Sequence, residues 1–126
     1  MNKTKICSSE AVVRFQDSDP FNHLNNAKYL DYFMNAREDH LIEYYDLDPY
    51  EIAMKQGVGW VVASNQIAYL KPASTMEKVI IESQLIGFKD KHLYVEARMY
   101  SQDKKELKSF IWMHFIHKEI PGSKYC

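Results

Sequence analysis

The apolar residues of this sequence change period at Gly59, and that change limits the folds open to the chain. Over residues 27–45, Leu30, Phe33, Met34, Arg37, Leu41 and Tyr44 follow the i, i+3/i+4 rule, flanked by Tyr29, Ala36 and His40. Lys28, Asp31, Asn35, Glu38, Asp39 and Glu43 fall largely off this stripe. The spacing predicts one amphipathic helix of about 18 residues, roughly 27 Å long. After Gly59 the period is two. Strands are predicted over 60–70, 78–87, 91–100 and 107–117, with Val79, Ile81, Ser83 and Leu85 sharing one face of the second. Leu93, Val95, Ala97 and Met99 oppose Tyr94, Glu96, Arg98 and Tyr100 in the third. Ten-residue strands span roughly 33 Å, close to the helix length. Short connections between them favour antiparallel hairpins.

A first strand is predicted over residues 11–16, and a short second helix over 50–56, after Asp46–Pro49 ends the long one. The fold class is therefore α+β, with one long helix against a five-stranded sheet. One helix covers one face, yet several strands are apolar on both sides. The uncovered surface predicts a homodimer or homotetramer.

At 126 residues and 46% hydrophobic composition the chain is expected to be a single domain, 1–126, with residues 1–10 as a flexible N-terminus. Sixteen basic and seventeen acidic residues give a net charge of −1. With no basic block, this argues against a nucleic-acid partner or an anionic-membrane surface. No run is long and apolar enough to span a membrane, and MNKTKICSSE lacks the apolar core of a leader. Cys7 and Cys126 have no metal or redox spacing. Free thiols in a reducing cytoplasm are the expectation.

Polar chemistry concentrates between the first strand and the long helix, where Asp17, Asp19, Asn22, His23, Asn25 and Asn26 crowd into ten residues. Pro20 ends the strand and disfavours helical geometry at Asp19. Asn25 and Asn26 offer N-caps for the helix. A carboxylate beside unsatisfied helix N–H groups is one half of an acyl-transfer site. The N–H groups can polarise a carbonyl while the carboxylate attacks or activates water. The bland reading stands beside it: Asp and Asn in such turns are more often caps and Asx-turns, and His23 alone is more often a polar-turn histidine. His114 and His117 fall on opposite faces of a strand, His40 and His92 have no partner spacing, and no metal site is predicted. Ser64 and Ser109 lack a nucleophile elbow, and four glycines are too few for a phosphate loop.

Arg14-Phe15-Gln16-Asp17-Ser18-Asp19-Pro20-Phe21-Asn22-His23-Leu24-Asn25-Asn26-Ala27-Lys28-Tyr29, continued by Phe33, Ala36 and Arg37, resembles the hot-dog-fold acyl-CoA thioesterases of the 4-hydroxybenzoyl-CoA type. Ile67-Ala68-Tyr69-Leu70-Lys71-Pro72-Ala73 is a second, looser match. The resemblance implies a hot-dog fold, a long central helix wrapped by a five-stranded antiparallel sheet. It also implies hydrolysis of an acyl-CoA or acyl-carrier-protein thioester with no cofactor. Asp19 matches the catalytic carboxylate, Asn26 the position whose backbone N–H polarises the carbonyl, and His23 an assisting histidine. Asn25 braces the turn. Arg37 is expected to pair with Asp17 or a backbone carbonyl, and Tyr29 to bury against the sheet. Lys71, Lys89 and Lys91 are candidates for the nucleotide phosphates of a substrate lying between subunits. Phe21 and Asn22 replace the small residues, often glycine, that usually precede the histidine. Asn tolerates left-handed backbone, and Phe21 is placed to shape the acyl pocket. Two other functions fit the fold: a non-catalytic acyl-CoA or acyl-carrier-protein binding module, and an enoyl-CoA hydratase or dehydratase. The second needs a different Asp/His spacing, with a proline before the histidine.

Overall fold

The computed structural model describes residues 5–119. Its strands are β1 (Cys7–Val12), β2 (Val58–Tyr69), β3 (Lys78–Lys89), β4 (His92–Ser101) and β5 (Leu107–Glu119). They form one antiparallel sheet in the order β1-β3-β4-β5-β2. The long helix α1 (Tyr29–Tyr45) lies across β1, β3 and β4, and a short helix α2 (Pro49–Gln56) leads into β2. The alternation after Gly59 is realised strand by strand. Val79, Ile81, Ser83 and Leu85 of β3, Val95, Ala97 and Met99 of β4, and Ile111, Met113 and Phe115 of β5 are all buried.

The first strand, the buried face of the long helix and the partner of Arg37 differ from the sequence reading. The first strand begins at Cys7, inside the segment expected to be flexible, and ends at Val12; Phe15–Asp17 form a 3-10 turn. Cys-Ser-Ser-Glu-Ala-Val has no apolar alternation. Its strand geometry comes from pairing with residues 78–83 of β3, which pattern alone cannot reveal. The buried stripe of α1 is Tyr29, Phe33, Ala36 and His40, one residue away from the predicted one. The displacement follows from His40, which is fully buried between Ser9 and Ser83: its Nδ1 lies 2.6 Å from Ser83 Oγ and its Nε2 2.9 Å from Ser9 Oγ. Buried polar groups persist where they are hydrogen-bonded, and here two serines on two strands supply the partners. Arg37 does not reach Asp17. Its Nη1 donates to Ser83 Oγ at 3.3 Å, because Arg37 sits well down the helix from the turn that holds Asp17.

Cys7 is a buried free thiol; Cys126 lies outside the described residues. No described helix is long and apolar enough to cross a membrane. α1 ends at Asp46, which takes left-handed geometry (φ 54°) and donates its N–H to the Ile42 carbonyl. The edge strand β2 carries Trp60, Val61, Val62 and Tyr69 exposed.

Candidate active site

The polar turn folds into a miniature hairpin. Ser18 pairs with Leu24, the Asp19 N–H donates to the His23 carbonyl at 2.8 Å, and the Asn22 N–H donates to the Asp19 carbonyl at 3.0 Å. Pro20 and Phe21 form the bend, and Asn22 follows it with φ 64°, the left-handed conformation that Asn accepts at low cost. This explains why Asn can stand where a glycine is usual. Asp19 Oδ1 accepts the N–H groups of Phe21 (2.9 Å) and His23 (3.1 Å), which fixes the carboxylate in one orientation. The other oxygen, Oδ2, takes no hydrogen bond among the described residues.

The chain then enters α1 through a single 3-10 turn, Asn26–Lys28. Asn25 is its N-cap: Oδ1 accepts the Ala27 N–H at 2.9 Å, and its carbonyl accepts the Lys28 N–H at 2.8 Å. Among the described residues none accepts the Asn26 N–H. The Asn26 carbonyl is tied from the other side by the Tyr69 hydroxyl, which donates to it at 3.0 Å. Tyr69 packs edge-on to Tyr29, with ring centroids 5.1 Å apart. Burial raises the Tyr29 phenol above its ordinary range, and its oxygen accepts the Ala73 N–H at 3.3 Å.

These groups share one open cleft of about 170 Å³, lined by Asp19, His23, Leu24, Asn26, Tyr29 and residues 69–72. Asp19, His23, Asn26 and Lys71 are thus brought together. Asn25 and Asn22 act from behind as cap and turn. Phe21 is 79% exposed at the tip of the turn and is not among the lining residues, so within one chain it shapes no pocket. Lys71 reaches the cleft, with its Nζ 3.1 Å from Glu106 Oε2. Lys89 and Lys91 sit at the opposite end of the sheet, beside His92 and His117, roughly 25 Å from the cleft by strand rise.

The sequence reading missed Tyr69 and Leu70 as lining residues. Their signal was position, directly before the Lys71-Pro72 stop that ends β2 at the cleft. It also missed a cross-strand imidazole pair: His92 Nδ1 and His114 Nε2 are 2.8 Å apart. Their centroids lie 5.0 Å apart and Tyr94 stacks on His114 at 4.7 Å. That spacing sets the rings end to end, the geometry of an N–H···N bond rather than of two lone pairs converging on a metal. Among the described residues no group of three or more His, Cys, Asp or Glu is arranged to hold a metal ion.

A sheet curled around one long helix, with a carboxylate-bearing turn at the helix start facing a cleft, defines the hot-dog fold. The chain belongs to the thioesterase-like superfamily, whose family model matches residues 13–117. Among curated proteins no match is found. Solved structures of similar fold include a DHNA-CoA thioesterase from Staphylococcus aureus, 18% identical, covering 92% of this chain and 76% of that one, with a TM-score of 0.84. A 1,4-dihydroxy-2-naphthoyl-CoA thioesterase from Synechocystis is 13% identical, covering 94% and 86%, with a TM-score of 0.84. The gentisyl-coenzyme A thioesterase BH1999 is 16% identical, covering 94% and 99%, with a TM-score of 0.79. At these identities the likeness is one of fold.

Proposed function

We propose that this protein hydrolyses an acyl-CoA thioester to the free acid and CoA, with Asp19 as the catalytic carboxylate. The observation that carries the reading is the pairing of Asp19 with the open Asn26 N–H across one cleft. The thioester carbonyl oxygen takes the Asn26 N–H, where the positive end of the α1 dipole supports the oxyanion. A water held by Asp19 Oδ2 attacks the carbonyl carbon, its proton passes to the carboxylate, and the C–S bond breaks with CoA leaving as the thiolate. Direct attack by Asp19 would form an anhydride that water then opens; both routes use the same two groups. His23, at the cleft wall, assists in orienting the water. The substrates named for the similar structures make aromatic acyl-CoAs part of the panel to be tried.

The functional unit in this reading is at least a homodimer. β2 leaves an unpaired edge and exposes Trp60, Val61, Val62 and Tyr69, a template for a second strand. In a two-fold antiparallel pairing of β2 with itself, the start of one copy's strand lies beside the end of the other's. The far end of the second copy, with Lys89 and Lys91, then comes towards this cleft, where those lysines meet the nucleotide phosphates. Solution mass measurement checks the assembly.

Thiol release across short, long and aromatic acyl-CoAs tests the chemistry. The wild type is expected to turn over at least one of them. Asp19→Asn should lower kcat by about 10²-fold or more, the scale of removing a group that acts in the transition state. No release from the whole panel, or full activity in Asp19→Asn, would sink the proposal; tight binding without release would make the chain a binding module.

A further inference from the structure

The turn that carries Asp19 does not stand alone. It leans on the connection between β2 and β3, residues 70–77. Leu24 N–H donates to the Ala73 carbonyl at 2.7 Å, Thr75 N–H to the Asn22 carbonyl at 2.9 Å, and Thr75 Oγ1 to Ser18 Oγ at 2.7 Å. His23 pairs with Ser74. Every one of these bonds is made by a segment outside the Asp19 motif, so the position of the carboxylate depends on how that segment is itself fixed.

Backbone bonds hold part of it, from Leu70 and Lys71 N–H to the Lys108 carbonyl and from Met76 N–H to the Val13 carbonyl, and the Tyr29 hydroxyl accepts the Ala73 N–H; the Lys108 side chain of β5 adds a further anchor. This lysine is only 7% exposed, and its ammonium reaches three oxygens: the Pro72 carbonyl at 3.2 Å, Glu106 Oε1 at 3.2 Å and Glu77 Oε2 at 3.4 Å. Pro72 and Glu77 bracket residues 73–76, the part that bonds the Asp19 turn, so one buried cation ties both sides of it. Glu77 in turn accepts the Ser74 N–H at 2.9 Å through its other oxygen, and Glu106 holds Lys71 at the cleft. Burial by itself pulls the ammonium towards its neutral form, but the bonds to Glu106 and Glu77 outweigh it, and the net shift is upward. Lys108 is therefore charged, which its contacts require. A buried ammonium with three oxygen partners costs more to install than an apolar side chain of the same length, so packing alone does not account for it.

We propose that Lys108 is a positioning residue: its ammonium, bound to Pro72 and Glu77, holds the 70–77 segment against the Asp19 turn and so sets the geometry of the cleft. The kinetic part of this inference rests on the thioesterase reading; the structural part does not.

The test uses the full chain carrying Lys108→Met, Lys108→Arg or, as a control for charge, Lys105→Met at an exposed position. Two readouts are taken well below the melting temperature. In amide hydrogen exchange, Lys108→Met should speed exchange at Leu24 and Thr75 at least tenfold while Val95 and Ile111 change less than twofold. In thiol release from an acyl-CoA that the wild type turns over, kcat should fall at least tenfold with KM within threefold, and Lys108→Arg should recover most of it. Lys105→Met should match the wild type in both. Unchanged exchange at Leu24 and Thr75 overturns the proposal, whether or not the protein proves to be a thioesterase. Exchange that accelerates uniformly through the sheet, with no recovery in Lys108→Arg, also overturns it, because the lysine is then only part of the scaffold. Should Lys108→Met not fold, Glu77→Gln removes one anchor of the ammonium while keeping the acceptor for Ser74. It should loosen Leu24 and Thr75 selectively; equal rates there overturn the proposal. A wild type that releases no thiol defeats the thioesterase reading and leaves the exchange result to decide the role of Lys108.

Discussion

The Tyr32 hydroxyl donates to Asp17 Oδ2 at 2.7 Å and accepts the Arg14 N–H at 2.9 Å, so one phenol of α1 fastens both ends of the bend that precedes the Asp19 turn. Asp17 then holds the helix entry through its carbonyl, which accepts the Asn25 N–H at 2.9 Å. Burial, with the Asp17 carboxylate adding to it, raises the Tyr32 phenol above its ordinary range, so it remains a donor through neutral pH.

Tyr32→Phe should therefore destabilise the fold by about 1–2 kcal/mol, since a half-buried carboxylate loses its donor and the ring volume is kept. Urea unfolding measures the loss as a lower midpoint at unchanged slope. In the thioesterase reading kcat should also fall several-fold, because the Asn25–Asn26 entry loses its brace. A midpoint equal to the wild type's would show that Asp17 finds another partner at no cost.

The helix start offers a sharper test of the backbone role assigned to Asn26. Asn25 has φ −62° and ψ 133°, the extended geometry that the residue before a proline prefers. Proline is tolerated at the first position of a helix, where its missing N–H breaks no helical bond. Asn26→Pro should thus fold, yet remove the N–H proposed to polarise the carbonyl. A fall in kcat of about 10²-fold or more is expected, the scale seen when one oxyanion donor is lost. Asn26→Ala keeps the N–H and should retain activity within a few-fold. If alanine were as damaging as proline, the side chain rather than the backbone would be the active group.

Most of the sheet was legible because period-two runs bounded by turn residues map directly onto strands; β3, β4 and β5 begin within one residue of the expected positions. The Asp19 turn was legible because the carboxylate, Pro20 and the Asn caps fall within one short stretch, residues 19–26. What stayed hidden depends on register between distant segments. Ser9, His40 and Ser83 become one buried cluster only when β1, α1 and β3 are laid side by side, and His92 meets His114 only across β4 and β5. Family likeness gives Arg37 either Asp17 or a backbone carbonyl as partner, while in the structure Asp17 meets Tyr32 and Arg37 meets the Ser83 hydroxyl. The Lys108 clamp is hidden for the same reason: Pro72 and Glu77 lie on the β2–β3 connection, far from Lys108 in sequence.

The buried cluster around His40 predicts the pH dependence of stability. Burial, reinforced by Arg37 and opposed by Asp39, lowers the imidazole from 6.5 to about 4 in the folded protein. Unfolded, the same ring returns to about 6.5. Between these values the unfolded chain binds a proton that the folded chain refuses, so stability rises with pH across this window and falls as the solution is acidified through it. The contribution amounts to roughly 3 kcal/mol, present in full above pH 6.5 and levelling off below pH 4. Urea midpoints at pH 4.5, 5.5 and 7 should climb steeply in the wild type. His40→Gln, which can still bond a serine hydroxyl but does not titrate, should be less stable at pH 7 and show a shallower climb, so that the two curves converge towards pH 4.5. Parallel curves would mean that the acid sensitivity of the fold lies in other groups.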